Sequence, residues 1–388
     1  MFLKQTLKRN QLLMETAFKF HQSGNILPDT YILDVDVFLE NAKKILYKAQ
    51  KNNIRLYFML KQVGRNPFLA KKLVEMGYAG VVAVDYKEAL IMMQNQIPIG
   101  NIGHLVQVPQ ACIKRVVAYR PELMTVYSYD KIESIEKAAA ELDLTQEIML
   151  RVYGDNDLIY SGQTAGFHLD ELPELINMIR KKCSHVRIKG VTSFPCYLYS
   201  EREETIISTE NLKTVKKAAE ILETYGCKEL ILNAPSTTCC FTLDKMKEDG
   251  VNCGEPGHGL SGTTPMHVRY YLDEIPSVVY VSEVSHNFQG KAYCFGGGYY
   301  RRSHMKYALV GKKLCNAKIF RITPPSPESI DYHLEFSEEA FVGDTVVMAF
   351  RFQIFVTRSD VVLIKGIQSG SAEIIGIYDS QGRKKELL

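Results

Sequence analysis

A lysine closes the apolar run Tyr57-Phe58-Met59-Leu60-Lys61. The run has the composition of a strand buried on both faces. Gly64 and then Asn66-Pro67 stop it; asparagine suits a helix N-cap and proline the first helical position. Lys61 therefore sits where a buried strand gives way to a helix. It is either a residue that runs its stem along the core and keeps its amine in water, or an amine held in a partly dry pocket. Two later stretches are rich in glycine and small hydroxyl residues: Asn233-Ala234-Pro235-Ser236-Thr237-Thr238, and Gly254-Glu255-Pro256-Gly257-His258-Gly259-Leu260-Ser261-Gly262-Thr263-Thr264. Backbone N–H groups in such loops can surround an anion. Taken singly, the first could be a helix N-cap and the second a flexible loop. Glu255 is a poor contact for phosphate itself but a good one for a cationic group on the same ligand. A presented amine, a phosphate cradle and a carboxylate together describe a pyridoxal phosphate site.

The elements around these residues must bring strand ends together. Strand-like runs lie near 54–61, 79–85, 102–108, 123–128, 147–153, 187–194, 228–234 and 251–255. Between them are helical patterns, such as Leu172, Leu175, Ile176 and Ile179, or Leu212, Val215, Ala219 and Leu222, each with its apolar residues on one face. The alternation matches a closed (β/α)₈ TIM-type barrel, whose active sites lie at the C-terminal strand ends. An open doubly wound sheet is the alternative, since strand counting does not see closure. In a barrel, Lys61 ends the first strand, and the two glycine- and hydroxyl-rich loops follow the seventh and eighth, the usual phosphate-binding positions. Gly257-x-Gly259-x-x-Gly262 also fits a dinucleotide fingerprint, but no fresh βαβ unit follows it. Beyond about 270 the apolar runs become short, β-rich and separated by turn clusters such as Pro324-Pro325-Ser326-Pro327. The expected division is an N-terminal helical extension (1–30), a barrel (31–269) and a C-terminal mainly-β domain (270–388), the 31–37 strand joining the last.

Composition narrows the function classes. The 388 residues carry a net charge of +3, too small to argue for nucleic acid or an anionic membrane surface. Nine cysteines, an odd number without a Cys-x-x-Cys pair, fit reduced thiols in a cytoplasmic protein better than a disulfide or zinc scaffold. Met1 to Ser23 reads as an amphipathic helix, not a signal peptide, and no apolar run is long enough to span a membrane.

The lysine strand, Gly162-Gln163-Thr164-Ala165-Gly166-Phe167, the Asn233–Thr238 loop and Glu255-Pro256-Gly257 fall in the order and spacing of the alanine racemase-like pyridoxal phosphate enzymes, fold type III. The chain resembles this family, and its YhfX-type branch in particular, from about Asp34 into the C-terminal domain. The resemblance implies that Lys61 carries the Schiff base to pyridoxal 5'-phosphate and acts as one acid/base. Ser236, Thr237, Gly257 and Gly259 would bind the phosphate, and Glu255 would face the pyridine nitrogen. Ser193, Asn233 and His258 would join the cofactor contacts, His258 either as a phosphate donor or as a satisfied polar residue. The family's second base comes from the partner subunit's β domain; Tyr293, Tyr299 and Tyr300 are candidates, with Cys294 the candidate if decarboxylase-like chemistry applies. The family's substrate-contacting arginine is Thr164 here, and the zinc ligands of related dehydratases and aldolases are missing, so no metal is expected. His286, His304 and Tyr299-Tyr300-Arg301-Arg302 could line a substrate pocket or form a solvated loop. The expected function is a homodimeric amino-acid racemase with a small-molecule amino-acid substrate and no nucleic-acid or membrane partner. A decarboxylase or a non-catalytic cofactor carrier is the alternative.

Overall fold

The computed structural model describes residues 2–386. The chain divides into two compact units: one holds the residues up to Lys44, Lys61–Asn66 and the chain from His258 onward, and the other holds Ile45–Leu60 and Pro67–Gly257.

In the second unit, eight parallel strands among the described residues close a barrel: β1 (Arg55–Phe58), β2 (Gly80–Ala83), β3 (Ile99–Ile102), β4 (Leu123–Val126), β5 (Gln146–Tyr153), β6 (Val186–Thr192), β7 (Ile231–Asn233) and β8 (Cys253–Gly254). Two pairings decide closure against an open sheet. Cys253 on β8 registers with Arg55 on β1, and Met124 on β4 registers with Ile148 on β5. Tyr57, Met59, Val82, Leu123, Met149 and Cys253 pack together as an apolar cluster. Helices alternate with the strands, among them Leu172–Lys182 and Glu210–Thr224, which bury the apolar faces read from the sequence.

The third strand departs from expectation: it occupies Ile99–Ile102, not 102–108. Gly-Asn is a poor strand signal, but the site demands both residues. A Cβ on Gly100 would lie 2.1 Å from the Tyr57 ring, and the Asn101 Oδ1 accepts a hydrogen bond from Thr125 Oγ1 at 2.8 Å. Gly103, at φ +96°, then turns the chain out of the strand.

The other unit is mainly antiparallel. Strands Val278–Phe288, Lys291–Phe295, His333–Phe336, Lys318–Thr323, Tyr307–Gly311 and Thr345–Met348 pair in that order, and the last pairs back to the first. Strand Thr30–Asp34 joins this sheet, antiparallel to Val278–Phe288 and parallel to Asp360–Lys365. The expected single N-terminal helix is two, Phe2–Arg9 and Gln11–Gln22. Asn10 separates them: its Oδ1 accepts from Leu13 N at 3.2 Å, capping the second helix, and its Nδ2 donates to the Pro276 carbonyl at 3.0 Å. Leu13, Met14 and Phe18 pack in one core with Val279, Val281 and Val347.

After Phe295 the chain passes through Gly296-Gly297-Gly298. Gly297 stands at φ +119°, and a Cβ there would lie 1.8 Å from a carboxylate oxygen of Asp29. Asp331 Oδ2 accepts from the Gly297 and Tyr299 amides, both at 3.0 Å. All nine cysteines are free. No helix among the described residues is long and apolar enough to cross a membrane.

Candidate active site

Within the barrel unit, the strand ends carry the polar residues expected from sequence. Asn233, the last residue of β7, is fully buried. Its Nδ2 donates to Glu255 Oε1 at 2.8 Å and to Thr192 Oγ1 at 3.3 Å. Glu255 follows β8 directly and is 5% exposed; its amide donates to Thr238 Oγ1 at 3.2 Å. The Met59 amide donates to the Pro256 carbonyl at 2.9 Å, so the chain leaving β1 runs beside the Glu255–Gly257 segment. Burying a carboxylate is costly unless hydrogen bonds frame it, and the Asn233 amide is such a frame.

Ser193 follows β6 and is buried. Its hydroxyl donates to Asp157 Oδ2 at 3.3 Å and accepts from Asn211 Nδ2 at 3.1 Å, while Thr214 donates to the other Asp157 oxygen at 2.7 Å. Ser236 (φ +94°) and Thr237 (φ +56°) are consecutive non-glycine residues on the left-handed side. Such backbone costs about 1 kcal/mol or more per residue and persists only where its surroundings fix it. Here Thr237 Oγ1 donates to the Tyr197 carbonyl at 3.2 Å, and Thr242 Oγ1 donates to the Thr237 carbonyl at 2.7 Å. Gly257 is buried and ends the barrel unit.

Two neighbours of these groups were not found by sequence reasoning, Asp157 and Asn211, because each meets Ser193 only through the fold. Arg151 was also missed, although it had the same signature as Lys61: a cation near the end of an apolar strand, Ile148-Met149-Leu150-Arg151-Val152.

In the antiparallel unit, Lys61 is half-buried and opens a short turn, Lys61–Val63, three residues beyond the end of β1 in the chain. Gly64 (φ +75°) follows, where a Cβ would come within 2.9 Å of the Val361 side chain. His258 keeps only a small accessible edge. Its Nδ1 meets Thr263 Oγ1 at 3.1 Å, its Nε2 meets the Gln353 amide nitrogen at 3.3 Å, and its ring lies 6.1 Å from that of Phe352. Burial, and then the charges of Arg351, Lys61 and His267, hold the His258 imidazole well below its usual range. Both ring nitrogens of His258 thus have a polar partner within its own unit. Gly259 is buried, and its carbonyl accepts from the Gly262 amide at 3.0 Å.

Tyr293 and Cys294 lie on strand Lys291–Phe295 with side chains on opposite faces. Tyr293 is half-buried; its hydroxyl donates to Glu335 Oε2 at 3.1 Å and its ring stacks on His286 at 4.9 Å. Cys294 is fully buried, and burial pushes its thiol up to about 12. A thiol so placed is a weak acid/base. Tyr299 and Tyr300 are half-buried, whereas Arg301 and Arg302 are exposed.

Comparison with known proteins agrees with this architecture. Residues 33–265 match the family model of the alanine racemase N-terminal domain, and residues 279–374 match that of the YhfX-like C-terminal domain. The uncharacterized protein YhfX of Escherichia coli (strain K12) is 41% identical over 386 residues, covering 98% of this chain and 99% of that one. The fold is shared with D-threonine aldolase from Filomicrobium marinum (TM-score 0.67, 15% identity, 92% of this chain and 95% of that one). It is also shared with the alanine racemase of Clostridium difficile 630 in complex with cycloserine (TM-score 0.63, 15% identity, 91% and 99%). A third such structure is D-threo-3-hydroxyaspartate dehydratase from Delftia sp. HT23 (TM-score 0.64, 15% identity, 89% and 95%). With both halves matched in order and its barrel closed, the chain belongs to the alanine racemase-like family of fold type III, in the branch that carries a YhfX-like C-terminal domain.

Proposed function

We propose that this protein is a pyridoxal 5'-phosphate-dependent amino-acid racemase that works as a homodimer with shared active sites. The observation that carries the reading is the buried Glu255 carboxylate at the end of β8, framed by the Asn233 amide at 2.8 Å. Such a group suits a protonated pyridine nitrogen, which would donate to it, and the left-handed Ser236-Thr237 turn beside it suits a phosphate. The donor set fits the cofactor. Lys61 would hold its aldehyde; Ser236, Thr237, Gly257 and Gly259 would take the phosphate; Ser193 and Asn233 would fix the ring. A neutral His258 would brace the Gly257–Thr264 loop without adding charge. When bound, the cofactor supplies an electron sink that lets an amino acid release its α-proton.

The chain's own residues must then move that proton. Lys61 would take it from one face of the α-carbon, and a second group would return it on the other. Tyr293 suits the second role better than Cys294, because its hydroxyl lies at an accessible strand face while the thiol is enclosed. Incubation with single L-amino acids in deuterated water tests the reading. A racemase gives α-deuteration with loss of stereochemistry; carbon dioxide release instead would mark a decarboxylase. A visible absorbance band on adding the vitamer, with no turnover of any amino acid, would mark a carrier. The band should vanish in Lys61→Ala; its persistence there would refute the assignment of the amine.

A further inference from the structure

A guanidinium is buried at the C-terminal end of β5 with no carboxylate beside it. Arg151 is 3% exposed. Its Nη2 donates to the Gln163 carbonyl at 2.7 Å, and its Nη1 donates to the Tyr127 hydroxyl at 3.1 Å and the His104 carbonyl at 3.4 Å. The cation also lies 5.1 Å from the centre of the Tyr127 ring. All these partners are neutral. Tyr127 does not supply a counter-charge: its hydroxyl donates to the His104 carbonyl, and burial pushes it above its usual range despite the nearby cation. Among the described residues, none forms an ion pair with Arg151, and its Nε–H and the remaining N–H of Nη2 have no acceptor.

The surroundings fix the group in place. Gly166, at φ +126°, lets the 162–168 segment run against β5; a Cβ there would lie 2.7 Å from the Arg151 carbonyl. Phe167 and His168 then pair with Val152 and Tyr153. An arginine does not neutralise itself when buried. A purely structural role at this depth would be filled at less cost by an uncharged side chain. His104 and Tyr127 follow β3 and β4, and Arg151 lies near the end of β5, so the guanidinium sits at the same end of the barrel as Asn233 and Glu255. Thr164, exposed in the segment that Arg151 holds, offers no cation of its own.

We infer that Arg151 is a carboxylate receptor in the barrel mouth, gripping an acid group of the substrate through its Nε and Nη2 donors. The inference rests on reading that mouth as an amino-acid site. Two parallel N–H donors match the two oxygens of a carboxylate, which gives both affinity and a fixed orientation.

Titration calorimetry on the full-length protein tests it, with succinate as probe and succinamide as its neutral counterpart. The wild type should bind succinate and not succinamide. Arg151→Met should weaken succinate binding by about 30-fold or more, and Arg151→Lys should retain part of it, which also covers the case in which the methionine variant fails to fold. Equal binding of the two probes by the wild type, or undiminished succinate binding by Arg151→Met, overturns the inference. Lys61→Ala separates the two readings. Succinate binding that survives in a protein lacking the visible band leaves the receptor standing while the cofactor assignment falls. A normal band with no succinate binding does the reverse.

Discussion

The Asn233–Glu255 contact sets a measurable stability. Asn233→Ala removes one hydrogen bond to a charged group, 2.8 Å long, and a longer one of 3.3 Å to Thr192. The first is worth about 1.5–3 kcal/mol and the second about 0.5–1 kcal/mol, because both lie where water does not replace them. The variant should lose about 2–4 kcal/mol in urea unfolding monitored by circular dichroism. A double-mutant cycle with Glu255→Ala isolates the pair, and its coupling should come to about 1.5–3 kcal/mol. Asn233→Asp goes further and sets two carboxyls against each other. Such a pair shares a proton, so in the folded state it titrates above the ordinary carboxylate range of about 4. Stability is then present at acid pH and lost as pH rises through that raised value. A coupling below about 0.5 kcal/mol, or an Asn233→Asp variant insensitive to pH, would show that the amide does not hold the acid.

Two further outcomes follow from other parts of the molecule. The folded-state pKa of His258 lies below its unfolded value of about 6.5, so its contribution is full above that pH and is lost as pH falls beneath it. His258→Asn should therefore flatten the drop in unfolding free energy between pH 7 and 5, measured by urea titration, by at most about 1.4 kcal/mol per pH unit; an unchanged pH profile would mean that the imidazole is already solvated. Gly297→Ala should cost about 3 kcal/mol or more, since its Cβ would press on the Asp29 carboxylate at 1.8 Å. Gly290→Ala has a similar left-handed backbone (φ +78°) but open space and should cost only about 1–2 kcal/mol, so equal losses in the two would refute the packing argument.

Much of this was legible in the sequence because it was written locally. A lysine ending an apolar run, a proline opening the next helix, and a carboxylate following the last short strand need no knowledge of distant residues. The mainly-β character of the chain beyond about 270 is equally visible in its short, turn-bounded runs; the antiparallel pairing is not. What was not legible depended on pairs far apart. Closure rests on Cys253 beside Arg55 and Met124 beside Ile148, which no periodicity reports. The third strand was misplaced because Gly100-Asn101 looks like a turn until Tyr57 and Thr125 are brought against it. The apolar run after it was misleading for the complementary reason: Val106 is exposed. Arg151 carried a readable signal, but an arginine inside a strand is usually solvated, and only its neutral surroundings set it apart.

Strand Thr30–Asp34 lies between Val278–Phe288 and Asp360–Lys365. Its neighbours in space therefore leave the ribosome more than two hundred residues after it does. During synthesis the barrel can close while this strand and the two helices before it still wait with apolar faces uncovered. A chain stopped short of Asp360 would leave one side of that strand without a neighbour, an adhesive edge open to any passing β-segment. Deleting the first thirty residues would likewise strip a layer from the antiparallel unit, even though the eight barrel strands would all be present.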